Sequence, residues 1–239
     1  MSEYQYLGRE LPTFAGATRW KAYIRSLLKD HLRGRVLEVG SGIGATTEAL
    51  WNVDVSSWLC LEPDPDLAAQ CSARLESVFG RGAIDTIVGG LAELDGERTF
   101  DAILFIDVLE HIEDDRDELA RASLHLAPGG ALIVVAPAYQ WLYSEFDRAV
   151  GHFRRYSRGT LAAVFPASLT QERLVYADSL GALLSLGNRV LLHRAEPARG
   201  QILLWDRVIV PLSRVADVLI DRSFGRSLVA IYRRGEAVP

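Results

Sequence analysis

Val36-Leu37-Glu38-Val39-Gly40-Ser41-Gly42-Ile43-Gly44 is an apolar run of strand length followed by glycine at every second position. A ligand can approach a strand-to-helix turn closely only where side chains are absent, which is the use of Gly40, Gly42 and Gly44. The turn alone leaves the ligand open. Because Ala45 follows, the same residues also fit a dinucleotide pattern with alanine in its last place.

Outward from this turn, strand-like apolar runs alternate with amphipathic helical stretches. Strands are expected at 35–39, 58–62, 83–88, 102–107 and 131–136, the last after the turn Pro128-Gly129-Gly130. Helices are expected at 18–31, 45–51, 65–79 and 114–126, the first carrying Trp20, Tyr23, Ile24, Leu27 and Leu28 at helical spacing and stopped by Gly34. Short continuous apolar strands separated by helices are what a parallel sheet buried on both faces requires.

Beyond Pro137 the alternation loosens into 139–158, dense in aromatic and basic groups and not read as regular structure. Strands at 172–176 and 227–232 end the sheet. Between them lies a long excursion, 179–222, with apolar residues at helical spacing and Arg and Asp between them. It reads as two amphipathic helices broken near Pro197 and Gly200, with Pro211 starting or kinking a turn of the second.

The 239 residues are 49% hydrophobic and 24% charged, an ordinary globular composition. A net charge of -5 argues against a protein whose affinity rests on neutralising phosphates, so no nucleic-acid partner is expected. Cys60 and Cys71 offer neither metal-ligand spacing nor a disulfide framework and are expected as buried thiols in a reducing cytoplasm. The first residues lack the order of a signal peptide, and no apolar run approaches the ~20 residues of a membrane span. A cytoplasmic location follows as an expectation.

Two carboxylates narrow the ligand. Glu38, two residues before the first glycine, suits a cationic amino acid moiety and would repel a pyrophosphate. That favours a sulfonium amino acid over a dinucleotide. Glu62 ends the second strand, where an acid can accept both ribose hydroxyls, a feature that dinucleotide enzymes share.

Over 35–137 the chain resembles the class I methyltransferases that use S-adenosylmethionine. Leu61-Glu62-Pro63-Asp64 is similar to that family's second motif and Phe100-Asp101 to Asp107 to its fourth strand. Leu126-Ala127-Pro128-Gly129-Gly130 is similar to the turn before its fifth strand, and Asp107-Val108-Leu109-Glu110-His111 to a phrase of its small-molecule branches. The resemblance implies S-adenosylmethionine held by Glu38, Gly40, Gly42, Gly44, Glu62, Pro63, Leu91 and Asp107. Where many members place an aspartate on the adenine, this chain has Gly90-Leu91. Trp20 and Tyr23 resemble residues that cover the methionine end of the cofactor, and their helical spacing suits the core equally.

The expected architecture is one α/β domain over 1–239, a Rossmann-like doubly wound sheet, mostly parallel with an antiparallel last strand. A helical cap at 1–34 and an insertion at 179–222 between the last two strands complete it. The insertion is read first as a substrate lid. A homodimer contact or a membrane-surface element are the other readings, the latter weakened because Asp206, Asp217 and Asp221 match its arginines.

Ligands of open α/β sheets lie beyond the carboxyl ends of the strands, so Asp107 and the loop after Pro137 belong to the reactive side. There His152 is the candidate base, with Tyr156 beside it as a second catalytic candidate, because an imidazole titrates near neutrality. Tyr139, Trp141 and Tyr143 can wall a small-molecule substrate, and Arg154 and Arg155 can fork onto a carboxylate or phosphate on it. The same arginines can instead pair with Glu145 and Asp147. No metal is expected at Asp107, Glu110, His111 and His152, each having another explanation.

Overall fold

The computed structural model describes residue 6, residues 11–191 and residues 199–236. The expected helix break at Pro197 and the first ten positions of the cap apart from Tyr6 lie outside the described residues.

Seven strands form one sheet: β1 (Gly34–Val39), β2 (Val55–Glu62), β3 (Asp85–Val88), β4 (Phe100–Ile106), β5 (Leu126–Pro137), β6 (Leu169–Ala177) and β7 (Ser227–Arg234), in the order β3-β2-β1-β4-β5-β7-β6. Leu37 stands opposite Leu59 on one side and Ile103 on the other, both in parallel register. Only β7 runs antiparallel, to β5 and β6 alike. The sheet thus has the mostly parallel, doubly wound form expected, with its last strand reversed.

Alternate residues of the central strands feed opposite layers. Val36, Trp58, Leu104 and Ile133 pack into one core, and Leu37, Leu59, Phe105 and Leu132 into the other. Burial on both faces is why these strands read as continuous apolar runs.

The helices follow sequence punctuation. α1 (Leu11–Ala15) and α2 (Thr18–Leu28) precede the sheet, and α2 runs on into a 3-10 turn at Lys29–His31. α3 (Ala45–Leu50) starts at the left-handed Gly44. α4 (Pro65–Phe79) is capped by Asp64, whose carboxylate accepts from the N–H groups of Asp66 and Leu67, and Pro65 fills the first turn, where no N–H is needed. α5 (Asp115–Leu124) is capped by Asp114 in the same way.

Residues 139–158 are more ordered than their composition suggests. They hold a 3-10 turn at Gln140–Leu142 and α6 (Glu145–Ala149), and lead into α7 (Arg158–Ala162). Composition missed this because the order comes from side chains capping backbone, as where the Asp147 carboxylate accepts from the N–H and Oγ of Ser144.

The insertion contains α8 (Ser179–Leu191), α9 (Arg199–Leu204), a π-helical turn at Trp205–Ile209 and α10 (Val210–Leu219). It departs from two simple helices because Pro211 offers no N–H, and the wider turn just before it accommodates the lost bond. Since β6 and β7 are antiparallel neighbours, everything between them stays at the end of the sheet where β6 finishes, the end that carries the glycine turn. Among the described residues, no helix is long and apolar enough to cross a membrane.

Candidate active site

Gly40, Gly42 and Gly44 all adopt left-handed backbone, with φ of 71°, 55° and 74°. Their uses differ. A side chain at Gly40 would meet Val108 at 2.6 Å, and one at Gly44 would meet Cys71 at 3.0 Å and Leu75 at 3.2 Å, whereas at Gly42 only Leu11 comes near, at 3.7 Å. Gly44 therefore serves the approach of α3 to α4, while Gly40 and Gly42 line a cavity of about 210 Å³ with Ser41 and Ile43.

Glu62, at the end of β2, is buried and its carboxylate accepts the N–H of Gly42 at 2.7 Å and of Asp64 at 3.1 Å. Burial raises its pKa. It braces the glycine turn and stands beside Pro63. Leu91, in the 3-10 turn after β3, is buried in the second core.

Glu38 is placed differently from the expectation of a carboxylate facing a ligand. It lies beneath the turn, 1% exposed, accepting from Thr47 Oγ1 at 2.6 Å and Trp58 Nε1 at 3.2 Å. The reason is strand alternation: Glu38 shares the face of Val36, which points into the layer of α2 and α3. Burial pushes its carboxyl up to about 8, against the pull of the two hydrogen bonds.

The far wall of the cavity gathers polar groups that are distant in sequence: Asp107, Glu110, His111, His152, Arg155 and Arg226. Asp107 follows β4 with a φ of 54°, held by its N–H on Val135 O at 2.8 Å. His152 Nδ1 donates to Asp147 Oδ1 at 2.8 Å, since a carboxylate can only accept, and its Nε2 lies 3.9 Å from Glu110 Oε1. His111 stands edge-on to His152 with ring centroids 4.5 Å apart, its pKa lowered to about 4 by burial and then by His152. Phe153 N–H donates to Glu110 O and Tyr143 Oη to His152 O at 2.6 Å, while His152 N–H donates to Asp147 O at 2.8 Å, so the loop is fastened on both sides of His152.

Glu110 is 1% exposed with one carboxylate oxygen, Oε2, lacking a partner in the protein. Burial, and next the neighbouring Asp107, raise its pKa well above the usual range. Ligand atoms of Glu110, His111 and His152 lie within 4.8 Å of one another, near enough to share a divalent ion.

Several expected site residues turn out to be framework. Tyr156 is 1% exposed and donates to Asp115 Oδ2 at 2.8 Å, so its hydroxyl is sealed from the cavity. Arg154 pairs with Asp115 at 2.7 Å and donates to Glu113 O. Arg155 does reach the cavity, but its fork is closed on Asp147, through Nε at 2.7 Å and Nη2 at 3.0 Å. Tyr139 stacks on Tyr176 at 4.9 Å with the Trp141 ring tilted against it at 5.3 Å, and neither Tyr139 nor Trp141 lines the cavity. Trp20 lines the cavity against Trp205, 5.6 Å between centroids. Its neighbour Tyr23 faces the insertion, donating to Asp217 at 2.7 Å.

The sequence reading missed Lys21, Arg226 and Trp205, all on the cavity wall. Lys21 Nζ donates to the carbonyls of Phe14 and Ala15 at 2.6 and 3.1 Å, and burial lowers its pKa to about 8. A lone lysine in the polar stripe of an amphipathic helix gives no signal of this. Arg226 could have been suspected as the residue before β7, a strand whose start must lie at the ligand end of the sheet.

A family model described as a methyltransferase domain matches residues 14–168, more than half of the chain. Among curated proteins, a ubiquinone biosynthesis O-methyltransferase of Bradyrhizobium sp. (strain ORS 278) is 28% identical over 107 residues, 45% of this chain and 41% of that protein. One of Bradyrhizobium diazoefficiens is 29% identical over 128 residues, 53% of this chain and 49% of that protein. The chain spans less than half the length of these relatives. Among solved structures, geranyl diphosphate methyltransferase with S-adenosylmethionine superposes at a TM-score of 0.66, 15% identical, covering 95% of this chain and 90% of that one. N-methyltransferase NodS of Bradyrhizobium japonicum with S-adenosylhomocysteine superposes at 0.59, 17% identical, covering 92% and 89%. At such identities these two likenesses speak for the fold alone.

Proposed function

The chain belongs to the methyltransferase-domain family of class I, S-adenosylmethionine-dependent methyltransferases, and on that premise we propose that it methylates a hydroxyl oxygen of a small metabolite. The cofactor supplies an electrophilic methyl group on a sulfonium. Gly40, Gly42 and Glu62 are the residues to hold it, since a side chain at Gly40 would press on Val108, Gly42 keeps a left-handed backbone bare toward the cavity, and Glu62 fixes that turn by accepting the Gly42 N–H. Pro63 and Leu91 extend the same edge toward the adenine. Glu38 acts through Thr47, keeping the start of α3 against the turn.

One observation carries the choice of oxygen: the ring of His152 lines the cavity, fixed at Nδ1 by buried Asp147, with Nε2 3.9 Å from Glu110 Oε1 and without a hydrogen bond to it. An amine attacks through a free lone pair, whereas a hydroxyl must lose a proton as it attacks, and a ring held at Nδ1 by a carboxylate leaves Nε2 as the atom to accept it. The proton passes from the hydroxyl to Nε2, and Asp147 stabilises the imidazolium so formed. His111, neutral at physiological pH, adds no competing charge. The named activity of the curated relatives, O-methylation in ubiquinone biosynthesis, supports the same acceptor atom.

Trp20, Phe146 and Trp205 give flat apolar walls, and Lys21 and Arg226 face a negative group on the acceptor, the role the sequence assigned to Arg154 and Arg155. The insertion, contributing Trp205, acts as the lid. The test is a calorimetric titration with S-adenosylhomocysteine followed by methyl-transfer assays on matched hydroxyl and amine acceptors. Heat of binding with turnover on hydroxyls alone is expected. Turnover confined to amines would overturn the oxygen assignment, and absence of cofactor heat would overturn the reading as a whole.

A further inference from the structure

The outer side of the insertion is apolar in a way a protein surrounded by water does not require. Leu204, Val208, Leu212, Val215 and Leu219 recur down one face of the π-turn and α10, and they are 54, 45, 54, 62 and 81% exposed. Leu183 and Leu184 of α8, 56 and 44% exposed, add to the outward apolar surface of the insertion. Contiguous apolar surface of this kind marks an interaction site.

Charge says which partner suits it. The sequence suggests that Asp206, Asp217 and Asp221 balance the insertion's arginines, and the structure corrects this for the first two, Asp221 alone staying exposed just past α10. Asp206 and Asp217 are 3% and 0% exposed and turned inward, Asp206 accepting the N–H of Trp20 at 2.9 Å and Asp217 the hydroxyl of Tyr23. Arg207 and Arg214 remain exposed beside the leucines and valines, Arg214 with its guanidinium also over the Tyr23 ring, 5.5 Å from the centroid. Among the described residues of the insertion the exposed charges are Arg207, Arg214 and Asp221, a net positive face on a chain that is at -5 as a whole. A second copy docked by twofold symmetry would set this face against one of the same sign.

We propose that the outer face of α10 and the preceding turn seats the protein on an anionic phospholipid bilayer, the aliphatic residues entering the acyl boundary and Arg207 and Arg214 meeting lipid phosphates. Apolar helices flanked by arginine lie in the plane of an interface in this manner, without spanning it. The opposite side of the same turn carries Trp205 to the cavity wall, so the docked face backs directly onto the site. The inference stands apart from which atom is methylated.

The experiment is co-sedimentation of the full chain with vesicles of equal phosphatidylglycerol and phosphatidylcholine, and with phosphatidylcholine alone. Binding to the anionic vesicles that weakens with added salt is expected. Val215→Glu with Leu219→Glu should reduce the bound fraction about tenfold or more, and Arg207→Glu severalfold, at unchanged melting temperature and circular dichroism. Equal retention on both vesicle types, or on neither, would overturn the proposal. So would a dimer by light scattering that Val215→Glu dissociates, because a second copy would then own the face.

Discussion

Asp147 Oδ1 sits 2.8 Å from Nδ1 of His152 and 2.7 Å from Nε of Arg155, so one buried carboxylate orients the proposed base and neutralises the cation beside it. The two hydrogen bonds hold its pKa far below the usual range despite burial. Asp147→Asn keeps the shape but allows the ring to take the other tautomer. Turnover should fall ~10²–10³-fold with KM changed far less, since orientation is lost and the cavity wall is not. A variant whose KM rises while kcat holds would place Asp147 in substrate binding instead. Unfolding in urea run alongside separates this from the stability lost by leaving Arg155 unpaired.

Gly40 and Gly42 make a contrasting pair. Gly40→Ala forces a methyl group to 2.6 Å from Val108 at a φ of 71°, so the turn must shift. It should cost about 1–3 kcal/mol in stability and weaken S-adenosylhomocysteine binding tenfold or more. Gly42→Ala meets nothing nearer than Leu11 at 3.7 Å, so it carries only the strain of a side chain at a φ of 55° without a clash, and its larger effect should appear in cofactor affinity. Calorimetry and thermal melting on both variants check the contrast, and equal destabilisation by the two would contradict it.

The sheet was legible because its signal is local: each strand is an apolar run bounded by turn residues, and the glycine turn marks where the ligand end lies. Pro65 to Phe79 was bounded to the residue because cap, first-turn proline and terminal glycine all speak at once. The site was legible only along the chain. His152 and Asp107 line the cavity, whereas Tyr156 and Arg154, read into the same loop, are both occupied by Asp115, a partner some 40 positions away. Glu38 shows a further limit. Its position at the strand's carboxyl end was read correctly, but which face it occupies depends on where α3 packs, and no short motif records that.

Glu38 should leave a mark on stability as a function of pH. Its folded pKa, raised to about 8, lies above the usual value of 4.5. The folded state then keeps a proton that the unfolded chain releases, and stability declines as pH rises between those values. From pH 5 to pH 7 the loss from this group is on the order of 2–3 kcal/mol. Glu38→Gln retains an oxygen acceptor for Thr47 and Trp58 and cannot ionise. Urea midpoints at the two pH values should therefore converge for the variant relative to the natural chain, and an unchanged pH slope would show that Glu38 is ionised in the fold.

Asp217 ties the insertion to the rest of the protein. Wholly buried, it accepts from Tyr23 Oη at 2.7 Å, from Asp178 N at 2.7 Å and from Ser179 N at 2.9 Å, thereby joining α2 to α10 and to the start of α8. Arg222 Nη1 donates to the same tyrosine oxygen. Asp217→Ala orphans three donors at once and should cost on the order of 3 kcal/mol, whereas Tyr23→Phe removes one of those donors and the acceptor of Arg222 and should cost about 1–2 kcal/mol. Because the two share one bond, Tyr23→Phe should cost less in the Asp217→Ala background than in the natural chain, a coupling that a double-mutant cycle in urea reads directly. Hydrogen exchange should quicken in α8 and α10 for Asp217→Ala while β1 and β4 stay protected, since the insertion is fastened at this point and the sheet is not. Additive losses in the cycle, or exchange rising evenly through the sheet, would mean that the insertion is held by its general packing and not by this carboxylate.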